Sequence, residues 1–181
     1  MAIRIDKVVT RGGDSGDTSL GDGTRVRKNS PRIEAIGAVD EANAAIGLVR
    51  LHAGAEADTV LARIQNELFD LGADLCVPGV AGERLRLTDA PIARLEAEVA
   101  AMNRALPALK SFVLPGGTPG GAYAHFARTL VRRAERAVVA VEDVNPAVLR
   151  YLNRLSDYLF VLARTLNGAG GEVLWIPGAG R

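Results

Sequence analysis

A chain of 181 residues with a formal net charge of +1 is long enough for one real core and lacks the excess charge of a protein that grips nucleic acid or an anionic membrane surface over a whole face. Hydrophobic residues at 48% and charged residues at 24% are ordinary for a globular domain, and the single cysteine excludes an intramolecular disulfide framework. The N-terminal MAIRIDKVVTRGGD has no apolar h-region and no apolar run reaches the roughly 20 residues of a membrane span, so the expected compartment is the cytoplasm.

Residues 10–30 are rich in Gly, Asp, Ser and Thr and read as one long loop without secondary structure. Within it, Gly12, Gly13 and Gly16 let backbone N–H groups crowd round an anion. Thr10, Thr18 and Ser19 add hydroxyl donors, Arg11 adds charge, and Lys28 supplies a point charge for a phosphate. No Gly-Lys-Ser/Thr follows the glycines, so this is not a Walker A motif. A plain surface loop has the same composition, and both readings stand.

Helix signals follow. Ser30-Pro31, Thr118-Pro119 and Asn145-Pro146 each read as an N-cap and a first helical residue, with Asp89 and Pro91 a weaker version. Leu61, Ile64, Leu68, Leu71 and Leu75 recur at helical spacing, as do Leu152, Leu155, Leu159, Leu162 and Leu166. Five helices are expected at about 31–53, 56–76, 89–105, 118–142 and 146–167, with Gly54 and Gly168 as C-terminal stops. Cys76, at the end of an apolar row, is expected to be a buried structural thiol. The segments 112–114 and 173–176 are short and extended at best, so the fold class is all-α, with antiparallel helices round a shared core. Residues 176–181 form a Gly- and Pro-rich tail, either a free end or a flap in which Trp175, Pro177 and Arg181 close over a ligand.

Three places interrupt the apolar pattern with chemistry. Asp40 and Asn43 break the small-residue stretch of the first helix. Arg128, Arg132, Glu135 and Arg136 share one face of the fourth, with Arg133 beside them. Arginines four apart repel by about 0.2–0.5 kcal/mol per pair, and one glutamate cannot neutralise them. The face is therefore either solvated or made for a polyanion. Asn153 and Asp157 share a face of the fifth helix among its leucines, as a structural network or as ligand contacts. His52 and His125 are the only histidines; they form no E-x-x-H pair, and no Cys/His set supports zinc.

The stretches TRGGDSGDTSL with RVRK after it, PRIEAIGAVDEANAAIGLVR, SFVLPGGTP through ARTLVRRAER, and YLNRLSDYLFVLAR stand in that order between residues 10 and 167. Together they resemble the PduO-type ATP:cob(I)alamin adenosyltransferases. The chain departs at Gly12 and Ser15, where that family often carries lysine or threonine. The resemblance implies a single ferritin-like domain over 1–181: an ATP-binding loop at 1–30, a five-helix bundle at 31–168 and a tail at 169–181. It implies a homotrimer with active sites between subunits. Thr10, Arg11, Gly12, Gly13, Thr18, Ser19 and Lys28 of one subunit would cradle ATP with Arg132, Arg133, Glu135, Arg136 and Asn153 of its neighbour.

The same resemblance assigns catalytic roles to three residues. Asp40 would pair with Arg128 across the interface, and Phe112 would displace the lower axial ligand of cobalamin. The implied substrates are ATP and cob(II)alamin reduced to cob(I)alamin, with Mg²⁺ and no metal held by the protein. A flavoprotein reductase and an adenosylcobalamin-dependent recipient enzyme are the implied partners, with no nucleic acid and no membrane. A corrinoid carrier and a non-catalytic helical-bundle interaction protein are the alternatives.

Overall fold

The computed structural model describes residues 8–79 and 84–180. Arg181, expected in the tail flap, lies outside them. The elements are β1 (Asp17–Ser19), β2 (Arg25–Arg27), α1 (Pro31–Arg50), α2 (Ala55–Leu75), α3 (Asp89–Asn103), α4 (Pro119–Val139) and α5 (Pro146–Asn167). The five helices are those expected, with α1, α3 and α4 ending sooner.

Their starts follow the Pro signals, by different means. The Thr118 hydroxyl accepts from Gly121 N at 3.1 Å and Asn145 Oδ1 from Ala147 N at 3.0 Å, each satisfying an N–H that the first turn leaves free. Ser30 makes no such bond, and its hydroxyl is buried without a partner. There the start rests on the fixed φ of Pro31. Gly168 ends α5 at φ 67°. Gly54 does not end α1. The helix closes at Leu51 in right-handed geometry, and Gly54 is the extended residue that opens α2.

The bundle packs α4 between α1 and α5, with α2 on α1 and α3 on α5. Both leucine rows point inward: Leu61, Ile64, Leu68, Leu71 and Leu75 are buried, as are Leu152, Leu155, Leu159 and Leu162. Each contributes about 2 kcal/mol through apolar burial. Where α1 meets α4 the buried residues are small, including Ala38, Ala42 and Ala45 against Ala124, Ala127 and Ala134, which lets the two helices approach closely. Arg32 ties one end of the bundle, donating to Leu75 O at 2.9 Å and Glu142 O at 2.7 Å.

Three expectations need correction. Residues 10–30 contain a two-stranded antiparallel hairpin, pairing Asp17 with Arg27, Thr18 with Val26 and Ser19 with Arg25. Strands of three mostly polar residues carry no readable alternation, so composition alone suggested a loop. Cys76 is half-buried, because it caps α2 where the core ends. The short segments 112–114 and 173–175 are not merely extended but paired: Val113 and Leu174 form an antiparallel bridge, Leu114 N donates to Val173 O at 2.8 Å, and Trp175 N donates to Phe112 O at 2.8 Å.

Candidate active site

The hairpin is folded by its own arginines. Arg25 donates to Gly12 O at 2.9 Å and Ser19 Oγ at 3.2 Å; Arg27 donates to Ser15 O at 3.2 Å and Asp17 Oδ1 at 3.3 Å. These bonds draw the glycine-rich segment back over the strands. Thr10, Arg11, Gly12, Ser19 and Lys28 stay exposed, and Gly13 and Thr18 are half-buried. Buried Leu20 and a 2.8 Å bond from Gly21 N to Cys76 O dock the hairpin on the C-terminal end of α2. That end is itself locked by Asp74, which is buried and accepts from Arg86, Leu87 N and Asn145 at 2.7, 2.7 and 2.8 Å.

On α4 the expected face divides. Glu135 Oε1 accepts from Asn153 Nδ2 at 2.9 Å, and Asn153 Oδ1 accepts from Arg154 at 2.6 Å. Arg154 in turn reaches Glu96 at 2.8 Å, so Glu135 and Asn153 belong to one polar chain from α4 through α5 to α3. Arg133 pairs with Glu41 on α1. Arg128, Arg132 and Arg136 pair with no carboxylate among the described residues. Arg128 is half-buried with its Nε unpartnered, and burial together with the charge of Arg132 holds its guanidinium below its usual range. A cation placed so is stabilised by any anion that reaches it.

Beside Arg128 opens a cavity of about 730 Å³, lined by Leu109, Lys110, Ser111, Phe112, Val113, Arg128, Phe160, Trp175 and Pro177. That volume suits a large ligand, and the lining is aromatic with cations at the edge. Phe112 is 77% exposed, with only the Trp175 ring nearby, centroids 6.0 Å apart. His125 lies behind the cavity, fully buried and edge-on to Phe160 at 6.1 Å, with neither ring nitrogen hydrogen-bonded. Burial and Arg128 hold its pKa below the ordinary value. A smaller cavity of about 280 Å³ between α2, α3 and α5 holds none of the expected residues.

Within one chain no described hydrogen bond joins these two halves, although the hairpin docks at the end of α2 that Arg32 ties to the end of α4; Arg128 itself lies about 16 Å back from that end at 1.5 Å per residue. No hydrogen bond or ion pair joins residues 8–28 to residues 112–136 among the described residues. Asp40 is exposed on α1 and is not paired with Arg128 in the chain.

Over residues 8–166 the chain matches the family model described as cobalamin adenosyltransferase. It belongs to the cobalamin adenosyltransferase family. A cobalamin adenosyltransferase of Cupriavidus metallidurans is 52% identical over 183 residues, covering 97% of each chain. A corrinoid adenosyltransferase of Mycobacterium bovis is 50% identical over 191 residues, covering all of this chain and 98% of that one. Among solved structures, a phenylalanine-to-alanine variant of a PduO-type ATP:corrinoid adenosyltransferase from Lactobacillus reuteri, complexed with cobalamin and ATP, superposes with a TM-score of 0.86 at 35% identity, covering 93% of this chain and 99% of that one. An arginine-to-lysine variant from the same organism, complexed with ATP, gives 0.84 at 36%, covering 93% and 100%. The protein is thus an enzyme of the corrinoid adenosyltransferase class with the five-helix fold of the PduO type.

Phe160 and Lys110 line the cavity but were not among the expected site residues. Phe160 sits one position past Leu159, so it turns off the buried row toward Arg128. That offset was a readable signal. Lys110 carried none, as a lone charge in sequence, and Glu41, next to Asp40 on α1, had nothing in its spacing to show its pairing with Arg133.

Proposed function

We propose that this chain transfers the 5′-deoxyadenosyl group of ATP to cob(I)alamin, at a site built from the hairpin of one copy and the α4 face and Phe112 cavity of the next in a homotrimer. The observation that carries the reading is the arginine set Arg128, Arg132 and Arg136 on one face of α4, without carboxylate partners among the described residues, whose first member lines an aromatic cavity. One side suits a triphosphate and the other an apolar macrocycle. The family's relatives support the substrates, since one solved relative holds cobalamin and ATP together.

The chemistry asks little of protein nucleophiles or bases. The electron pair of Co(I) attacks the ribose C5′ of ATP, the Co–C bond forms, and the C5′–O bond breaks. Triphosphate leaves with the electron pair of the C5′–O bond. Arg132 and Arg136, the hairpin backbone of Gly12 and Gly13, Thr10, Arg11, Thr18, Ser19 and Lys28 hold the phosphates and stabilise the charge that develops there. A preorganised donor of this kind is worth about 3 kcal/mol in the transition state. Glu135 and Asn153 fix the arginine helix against α5, and Arg133 answers Glu41. Phe112, with no atom able to ligate cobalt, occupies the lower face of the corrin and keeps water from it. Four-coordinate Co(II) left there is easier to reduce, and a flavoprotein supplies the electron. Asp40 closes on Arg128 of the adjoining copy.

Mg²⁺ belongs to this reading only as the counter-ion of the triphosphate. No group of three His, Cys, Asp or Glu side chains converges among the described residues. No helix among the described residues is long and apolar enough to cross a membrane. The cytoplasm, where ATP and an adenosylcobalamin-dependent recipient enzyme are at hand, is the proposed compartment. Within the single domain, residues 1–30 serve ATP, 31–168 form the bundle and 169–181 the tail.

The test is to mix the protein with chemically reduced cobalamin and Mg-ATP. Adenosylcobalamin appearing with one triphosphate per turnover is the expected result. Cobalamin bound while ATP stays intact would make the chain a carrier and end the proposal.

A further inference from the structure

We infer that Arg164 and Glu172 are positioning residues for Phe112: together they clamp both extended segments of the bridge that carries it. The inference rests on the proposed function for what Phe112 does, but not for how it is held.

Phe112 is mostly exposed and no helix packs on its ring, so packing does not fix it. Its backbone does. Phe112 O accepts from Trp175 N at 2.8 Å, Leu114 N donates to Val173 O at 2.8 Å, and Ser111 Oγ donates to Trp175 O at 2.7 Å. The Phe112 segment is therefore as fixed as the tail segment it pairs with. That tail is anchored at Glu172, immediately before the bridge. Arg164, on the last turn of α5 and 4% exposed, donates to Glu172 Oε1 at 2.6 Å and Oε2 at 3.3 Å. Its NH2 also donates to Pro107 O at 2.8 Å, on the connection that leads from α3 to Phe112. One buried guanidinium thus holds the approach to both segments.

The turn between Arg164 and Glu172 is built to bring them together. Gly168 and Gly170 take positive φ of 67° and 83°, and a Cβ at Gly171 would fall on the carbonyl oxygen of Asn167. Glycine lets the chain double back tightly against the end of α5. A buried ion pair gives little net stability over an apolar replacement, yet removing one partner strands the other. Its use here is to define one position for a segment that has no packing of its own.

The test uses Glu172→Gln in the full chain, with Asp58→Asn as a control that breaks a bidentate but more exposed ion pair with Arg50 at the α1–α2 turn, far from the bridge. Three quantities are read: amide exchange at Leu114 and Trp175, emission of Trp175, the only tryptophan, and steady-state kinetics. Glu172→Gln is expected to speed exchange at both amides about tenfold. Emission shifts red. Turnover falls about tenfold while KM for ATP stays within about twofold. Asp58→Asn leaves all of these as in the wild type.

Unchanged exchange in Glu172→Gln overturns the clamp. So does wild-type turnover on a loosened bridge, or a KM for ATP that rises in step with the loss. A wild-type protein that makes no adenosylcobalamin overturns the functional reading instead; exchange and emission then still decide whether Arg164 and Glu172 hold the bridge.

Discussion

Lys28 occupies the space that a side chain at Gly13 would need: a Cβ built on Gly13 falls 2.8 Å from Lys28 Nζ, 3.0 Å from Cε and 3.4 Å from the Asp17 carbonyl oxygen. The ammonium is thereby laid over bare loop backbone, where N–H groups and positive charge serve one anion together.

Gly13→Ala should therefore push Lys28 aside without unfolding anything. The lysine end is flexible and the hairpin lies on the surface, so stability should change by less than about 0.5 kcal/mol. The Kd for ATP should rise about tenfold, the worth of a charged hydrogen bond. Isothermal titration with ATP checks it, and wild-type affinity contradicts it.

Arg132→Ala should move binding and stability in opposite directions. Loss of a phosphate contact weakens ATP binding by about 1–3 kcal/mol. Relief of repulsion with Arg128 and Arg136 raises helix stability by about 0.2–0.5 kcal/mol per pair. Calorimetry and thermal melts on one preparation read both. Unchanged ATP affinity removes Arg132 from the site.

Asp40→Ala should weaken assembly more than folding. Asp40 is exposed in the chain beside Phe69, itself 69% exposed, on a shallow apolar face shared with Ile36 and Leu68. Arg128 has its Nε buried and unpartnered. If the two meet across copies, removing the acid strands the arginine at a cost of about 3–5 kcal/mol. Sedimentation against concentration should show dissociation at higher protein concentration than for the wild type. A stable, fully active oligomer contradicts the pairing.

His125 makes stability depend on acid. Its folded pKa lies below the ordinary 6.5, because burial and Arg128 disfavour its charged form. Below that value the unfolded chain takes up a proton that the folded chain resists. The contribution of His125 is thus complete above about pH 6.5 and is lost as pH falls through the folded pKa. The unfolding midpoint should drop between about pH 7 and pH 5. His125→Gln should flatten that slope, and an unaltered slope assigns it to other groups.

The bundle was legible because its signals are local and repeated. Three Pro-marked starts and two leucine rows each depend on spacing within one helix, and the structure keeps them. The hairpin was not legible, since what folds it is Arg25 reaching Gly12 and Arg27 reaching Ser15 across the turn. The pairing of 173–175 with 112–114 was hidden for the same reason, since it is held by Phe112 and by Arg164 through Glu172, far away in sequence. Of the site, the arginine face was visible as unpaired charge on one side of α4. That Glu135 is engaged by Asn153, and Arg133 by Glu41, depends on which helices pack together, which spacing does not encode.

The account stands most directly on one measurement: activity of assemblies reconstituted from equal amounts of Lys28→Ala and Arg132→Ala chains. Each variant alone lacks one half of every site. If the hairpin of one copy serves the arginine face of the next, random mixing leaves about a quarter of the sites with both halves intact, and adenosylcobalamin formation returns in that proportion. A mixture no more active than its two components would mean that both halves come from the same chain, against a site shared between copies.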